Sequence, residues 1–398
     1  MDIYLVGGAV RDTLLGLPVK DRDWVVVGAS PQQLLDQGFV PVGKDFPVFL
    51  HPATKEEYAL ARTERNTAPG YKGFAFHAAP DVTLEQDLAR RDLTINAMAV
   101  AQEQLDNQGN FDPTSVRMED PFHGQRDLQL RRLRHVTGAF GEDPVRILRV
   151  ARFAARFAQF HVAHETRDLM RRMVLAGEID ALVAERVWQE LARGLMEQRP
   201  SHMFDVLADC AALTHLLPEL PATGVKAAAG GCHANGTLDH AALWRAPLTV
   251  RFAAMALFMP SDTARSAVCE RLRVPTDCRD LALLAARERQ AIDASTRLDA
   301  AALVELLERC DGLRKPARFR ELLQLCAIMA SAPDQSDPAH YAPQARLQAV
   351  LSIAQSVATD AIARRVMAAG QSGPQVGVAI QAARIAAVAA GNDVLPAA

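Results

Sequence analysis

The first thirty residues, MDIYLVGGAVRDTLLGLPVKDRDWVVVGAS, set the tightest limit on the fold. Two runs rich in β-branched and aromatic residues, DIYLV and DWVVV, flank a Gly-Gly pair and a short helical stretch that Gly16 ends. Such residues suit a pleated, half-buried surface, so both runs are predicted as strands. Asp21 and Asp23 stand two apart on the second strand, which sends both carboxylates to one face. Two carboxylates beside an apolar run are costly unless something positive neutralises them. Two oxygens that close suit a hard cation such as Mg²⁺. Taken alone, Asp-x-Asp is as well explained by a solvated turn at a strand start.

The neighbouring residues tip that balance. Gly7 and Gly8 sit between strand and helix, where missing side chains let backbone N–H groups approach a triphosphate. Arg11 is predicted one turn in, facing the same anion. A plain tight turn explains the glycines alone, but glycines, arginine and paired aspartates together form a cradle for an anion and its metal. A third carboxylate could come from EEYALAR on a further strand. Glu57 is the candidate, with Glu56 an open alternative and an exposed strand-edge acid the simpler account.

Residues 1–140 read as mixed strand and helix. FPVFLHP and EEYALART are further strands, NTAPGYKGFAFHAAPDVT a mobile loop and LEQDLARRDLTINAMAV a helix. In that helix Asp92 and Asn96 are at i and i+4 on one face beside Arg91. Arg91 can pair with phosphate, and the aspartate with the arginine can read a ribose hydroxyl. An internal capping cluster is the plainer explanation. From residue 143 the signals are helical: Pro144 follows Asp143 as a first-turn proline follows an N-cap. In VRILRVARF, Arg146, Arg149 and Arg152 recur every three residues along one side, normally the mark of a solvated basic face. Asp143 suggests more. A carboxylate accepts an N–H and an arginine donates to a ring nitrogen or carbonyl, the pattern that cytosine and adenine share and guanine and uracil lack. An Asp143–Arg146 pair would take CTP and ATP and reject GTP and UTP by leaving buried polar groups unpaired.

Composition bounds the rest. With 398 residues, two to four domains are expected, and 49% apolar with 23% charged residues is a soluble globular profile. No window reaches the length of a membrane span, and the N-terminus lacks the pattern of an export signal. Cys210, Cys232, Cys269, Cys278, Cys310 and Cys326 form no CxxC pair and read as reduced thiols, so a cytoplasmic protein is expected. The net charge of −3 does not advertise a nucleic-acid binder, but residues 131–172 hold ten arginines against four acids, enough to bind phosphates. Residues 331–345 read as a Pro/Asp/Ser linker, and an Ala-rich helical tail follows.

GGAVRD, DRDWVV, RRDLTINA, DPFHGQRDL and EDPVRILRVARF, in this order, resemble the class II tRNA nucleotidyltransferases, the CCA-adding enzymes of bacteria. Within them the likeness is greatest to the proteobacterial group called multifunctional CCA protein, over about residues 1–220. The resemblance implies an α+β fold: a polymerase-β-like nucleotidyltransferase head with a mixed sheet at 1–140, a helical neck at 141–200, a body at 201–330, and a linker and tail at 331–398. It implies that Asp21 and Asp23 hold catalytic Mg²⁺, with Glu57 as a possible third acid. Gly8 and Arg11 would contact the triphosphate, and Arg91, Asp92 and Asn96 the phosphate and ribose. Asp143 and Arg146 would read the base, with Arg149 and Arg152 supporting them or binding phosphate. Partners would be ATP, CTP and the tRNA acceptor arm, with the enzyme a monomer or homodimer and no membrane. Where that group carries a His-Asp dyad for phosphohydrolysis, this chain reads LTVRFAAMALFMPSDTARSAV, which argues against those activities and leaves His240 as a structural residue. A poly(A) polymerase, an enzyme adding only CC or only A, and an inactive RNA-binding module are the rival readings.

Overall fold

β1 (Asp2–Val6) and β2 (Asp23–Val27) pair antiparallel, from Asp2 opposite Val27 to Val6 opposite Asp23. The short helix α1 (Gly8–Leu14) fills the turn between them. This is the computed structural model of the chain; it describes residues 1–42, 48–66, 74–220, 234–333 and 335–391. Cys232 and the tip of the predicted 66–80 loop lie outside those residues.

The chain divides into two compact units. The first comprises Met1–Gly194 with His202–Leu216, the second Leu195–Ser201 with Leu217–Ala398. The first is built on a seven-stranded sheet that adds β3 (Val40–Val42), β4 (Val48–Leu50), β5 (Glu57–Leu60), β8 (Ala99–Ala101) and β9 (Met118–Glu119), in the order β3-β4-β5-β2-β1-β8-β9. Most neighbours are antiparallel, but β2 and β5 run parallel with Asp23 opposite Glu57. Both strands therefore start on the same edge, and their first carboxylates point to the same face.

The two faces of β2 carry different loads. On one, Val25 joins Val6, Ala61 and Ala99 in a buried cluster with Leu88 of α3 (Leu84–Ala89). On the other, Trp24 stacks on Tyr58 at 5.3 Å, and Phe39 and His51 complete an aromatic group around Tyr58. Burying a large apolar side chain of this kind contributes about 1.5–3 kcal/mol, so register is strongly set: a one-residue slip exchanges the faces.

Two expectations are corrected here. Asp21 is not on the strand; the ladder begins at Asp23, and Asp21 lies in the extended approach to it. The predicted helix over 84–100 is three elements: α3 stops at Ala89, a 3-10 turn covers Thr94–Asn96, and β8 follows. The reason is that β8 is needed as β1's second partner, so a ladder overrides a helical spacing. The predicted loop at 66–80 is also partly strand: β6 (Arg62–Asn66) pairs antiparallel with β7 (Phe74–Ala78).

Four further helices carry the rest of the first unit's site. α4 (Gly124–Gln129) packs near the 3-10 turn. α5 (Val145–Arg156) begins one residue after the predicted Pro144, with the Val145 N–H donating to Asp143 Oδ1 at 3.1 Å. α6 (His164–Leu175) leads to α7 (Ala184–Leu195).

The second unit is helical throughout its described residues. Phe252, Leu281, Phe319, Leu322 and Leu325 are fully buried at its centre. His240 is buried there with Nε2 2.9 Å from Ser331 Oγ, which itself donates to the Ala327 carbonyl. Arg251 donates to the carbonyls of Ala246, Leu195 and Glu197, so a buried cation closes chain ends in place of capping residues. Cys210 of the first unit and Cys269, Cys278, Cys310 and Cys326 of the second are buried free thiols; burial pushes Cys210 and Cys269 up to about 11 and Cys278 and Cys310 up to about 12. Among the described residues no helix is long and apolar enough to cross a membrane.

One buried charge pins α3 in the first unit. The Asp87 side chain is fully buried and accepts from Arg90 at 2.8 Å, from Arg91 at 3.3 Å and from the Arg62 backbone N–H. Burial alone would raise its carboxyl, but the Arg90 and Arg91 charges override this and hold it below the usual range. Asp87→Asn should destabilise the first unit by about 3 kcal/mol in denaturant titrations at neutral pH. A depressed carboxylate gives its stability above its unfolded pKa of about 3.9 and loses it as pH falls through the lower folded value. The gap between Asp87→Asn and the unsubstituted chain should therefore close in strong acid.

Candidate active site

A cleft of about 660 Å³ opens above the start of β2. Its lining includes Gly7, Gly8, Arg11, Asp21, Asp23, Arg91, Asp92, Asn96, Asp143, Arg146, Arg149 and Arg152. Of the residues singled out from the sequence, Glu57 alone is outside the lining, although its register places it beside Asp23. The structure settles Glu56 differently: it accepts from Trp24 Nε1 at 3.0 Å on the aromatic side of the sheet.

Asp92 is the hub of the cleft wall. Its carboxylate accepts from the Leu93 N–H at 2.8 Å, Asn96 Nδ2 at 2.9 Å and Arg149 Nε at 2.8 Å. Burial would raise this carboxyl; the Arg149 charge and the hydrogen bonds from Asn96, Arg149 and Leu93 reverse that and hold it well below the usual range. Asp92 and Asn96 thus meet as predicted, though across a turn instead of along a helix. The oxygen of the Asn96 amide accepts from Arg11, whose Nε donates to Asp12 at 2.9 Å. Arg11 is almost fully buried, between that pair and the rings of Phe153 and Phe157. Burial lowers its pKa. It lines the cleft while these contacts brace it within the wall.

The helix α5 arginines are not a solvated face. Arg146 and Arg152 are 7% and 9% exposed. Arg152 Nε donates to Glu190 of α7 at 2.6 Å, and Arg149 reaches the other oxygen of Glu190 at 3.9 Å. Arg146 donates to the Ala139 carbonyl at 2.8 Å. Arg186 of α7 holds Asp143 with two bonds of 3.1 and 2.7 Å. Arg186 and Glu190 are the residues that sequence reasoning missed. Their signal was present, an Arg and a Glu at i and i+4 in AERVWQEL, but only the packing of α7 against α5 says what they face.

Asp21 and Asp23 stand at the floor with no ion pair among the described residues. Burial, partly opposed by Arg91 and Arg149 and reinforced by the Asp21 charge, raises the Asp23 carboxyl, although its side chain keeps access to the cleft. An under-neutralised carboxylate pair is the donor set a hard divalent cation takes. No group of three or more His, Cys, Asp and Glu side chains among the described residues is placed to hold a metal alone. Around Asp21 and Asp23 the lining carries ten arginines and Lys20 against five aspartates, a cleft that attracts polyanions.

The chain is similar to known proteins over nearly its whole length. The Poly A polymerase head domain matches residues 3–134, and the probable RNA and SrmB-binding site of polymerase A matches 159–223. The multifunctional CCA protein of Polaromonas naphthalenivorans is 55% identical over 98% of both chains. That of Cupriavidus necator is 56% identical over 98% of this chain and 99% of its own. This chain belongs to the multifunctional CCA protein family. The family's fold is seen in solved structures: a CCA-adding enzyme with ATP shares 20% identity at a TM-score of 0.66, covering 97% of this chain and 85% of that one. The Thermotoga maritima CCA-adding enzyme complexed with tRNA shares 21% at 0.63, covering 96% and 86%.

Gly7 marks where this wall tolerates no side chain. Its φ is +69°, and a Cβ there would lie 2.8 Å from Arg91 Nη1. Gly7→Ala should cost about 1–3 kcal/mol in unfolding experiments and raise the KM for nucleotide by displacing Arg91.

Proposed function

We propose that this chain adds C, C and A to the 3′ end of tRNA, taking CTP and ATP without a nucleic-acid template and releasing pyrophosphate. The observation that carries this reading is convergence. Four segments far apart in sequence, around residues 8, 22, 92 and 149, deliver their charged side chains to one cleft. The whole-chain relatives, at 53–56% identity, support the CCA reading over a poly(A) polymerase, which the head match alone would equally allow.

Asp21 and Asp23 would hold the divalent metal, and Mg²⁺ fits their all-oxygen donor set. Bound there, the metal would lower the pKa of the attacking 3′-hydroxyl and neutralise charge on the phosphates. Glu57, opposite Asp23 in the ladder, would be the third acid. Gly8 and Arg91 would steady the triphosphate, while Arg11 supports the wall behind them. Asn96 and Asp92 would face the ribose. Arg146 and Asp143 would read the base edge, with Arg186 fixing the aspartate's orientation and Arg149 and Arg152 supplying positive charge beside it. Transfer of this kind is mostly positioning and charge compensation, which suits a wall whose arginines are already held in place. We further assign residues 1–140 to nucleotidyl transfer, 141–200 to base reading and RNA contact, 201–330 to a helical body and 331–398 to a tRNA-gripping tail, acting in the cytoplasm.

The direct test supplies purified protein with tRNA lacking its terminus and one labelled nucleotide at a time. CTP alone should give two additions, and ATP should add once, only after them. Unlimited incorporation of ATP would make the chain a poly(A) polymerase. Asp21→Ala combined with Asp23→Ala should abolish incorporation while tRNA binding persists; retained turnover refutes the metal assignment. Arg146→Ala should admit UTP and GTP, losing about tenfold or more in selectivity, equivalent to about 1.4 kcal/mol.

A further inference from the structure

Residues 102–117 connect β8 to β9, and they do more than turn the chain around. The base of this excursion is closed by Gln104, which donates to the Arg117 carbonyl at 3.0 Å and accepts from the Arg117 N–H at 2.7 Å. Its first turn, Gln102–Gln104, lies against β1. Its tip is wound about Asp106, whose carboxylate accepts from the Gln108 and Asn110 N–H groups at 2.8 Å each. The tip then reaches Arg22, the residue between Asp21 and Asp23. Arg22 Nε donates to the Gly109 carbonyl at 3.2 Å and Nη2 to Asn110 Oδ1 at 2.8 Å. The fit is close: Gly109 has φ +75°, and a Cβ on it would sit 3.0 Å from Arg22 Nε. On its other side Arg22 Nη1 lies 3.8 Å from Glu56, next to β5.

Asp21 and Asp23 line the cleft, whereas Arg22 turns to Gly109, Asn110 and Glu56, on the aromatic side of the sheet. Arg22 therefore cannot contact a metal held by the aspartates. It can only act on them through the backbone they share. That backbone needs help, because Asp21 and Arg22 precede the first paired residue of β2 and the two carboxylates repel each other. We propose that the 102–117 loop is a clasp that positions the metal-binding carboxylates, gripping Arg22 from behind so that Asp21 and Asp23 are held at the separation a divalent cation requires. Arg22 is thus a positioning residue, and Gly109 and Asn110 are its seat. This rests on the reading of Asp21 and Asp23 as metal ligands given above.

The test is direct titration of the full chain with Mn²⁺ alone, counting free ion by its paramagnetic resonance, beside melting temperature and tRNA affinity. Asn110 is exposed, so Asn110→Ala should fold normally. Asn110→Ala and Arg22→Ala should each weaken Mn²⁺ binding by about tenfold, the usual effect of removing an outer support of a metal ligand. The double variant should be little worse than either. Arg22→Lys keeps the charge but not the fork, and should bind as weakly as Arg22→Ala. Melting temperature and tRNA affinity should stay unchanged in Asn110→Ala, which a general structural defect would not allow. The clasp is overturned if Asn110→Ala binds Mn²⁺ as tightly as the unsubstituted chain, or if Arg22→Lys restores tight binding and shows that charge suffices. Asp23→Asn separates the two readings: if it also leaves Mn²⁺ binding intact, the carboxylate site itself is wrong; if it alone abolishes binding, only the clasp is.

Discussion

Three hydrogen bonds converge on the Asp92 carboxylate, and the cleft has its shape because of them. One comes from the backbone of the turn that ends in β8, one from the Asn96 side chain, and one from Arg149 on α5. A buried carboxylate with fewer partners would be a liability of several kcal/mol. With these three it ties sheet, turn and helix together at one atom pair. Asn96 passes the constraint to Arg11, and Arg149 passes it toward Glu190 and α7. The wall is thus a network of alternating charges, in which Arg149, Arg152, Arg156 and Arg186 are each held by an acid on another segment.

That arrangement explains how a chain with a net charge of −3 presents a cationic cleft. The positive charge is local, and it is kept there by packing α5 between the sheet's turn and α7. It also explains why Arg146 and Arg152 stay largely buried: their guanidinium groups meet the Ala139 carbonyl and Glu190 before meeting solvent.

Much of this was legible in the sequence, for reasons that are local. The paired aspartates pointed to one site and both line the cleft, although only Asp23 is on the strand, and the proline after Asp143 gave the start of α5 to within one residue. The i and i+4 spacing of Asp92 and Asn96 brought them together correctly for the wrong reason, since the helix assumed there is broken by β8. What was not legible depends on partners distant in sequence. The partner of Asp143 is Arg186, forty-three residues on, and no spacing rule reaches that far. Likewise the choice between Glu56 and Glu57 needed the register of β5 against β2, which is fixed by Trp24 stacking on Tyr58 and not by either glutamate. The burial of Arg11 was hidden for a related reason: its aromatic neighbours, Phe153 and Phe157, lie over a hundred residues away.

Glu190 sits against Arg152 and near Arg149, inside the wall that faces the ligand. An incoming phosphate that draws on these arginines does not strip water from bare cations; it competes with a carboxylate already in residence. Binding there would trade one anionic partner for another, so Arg149 and Arg152 keep a counter-charge in the free protein, and a departing pyrophosphate would leave behind groups that have somewhere to return.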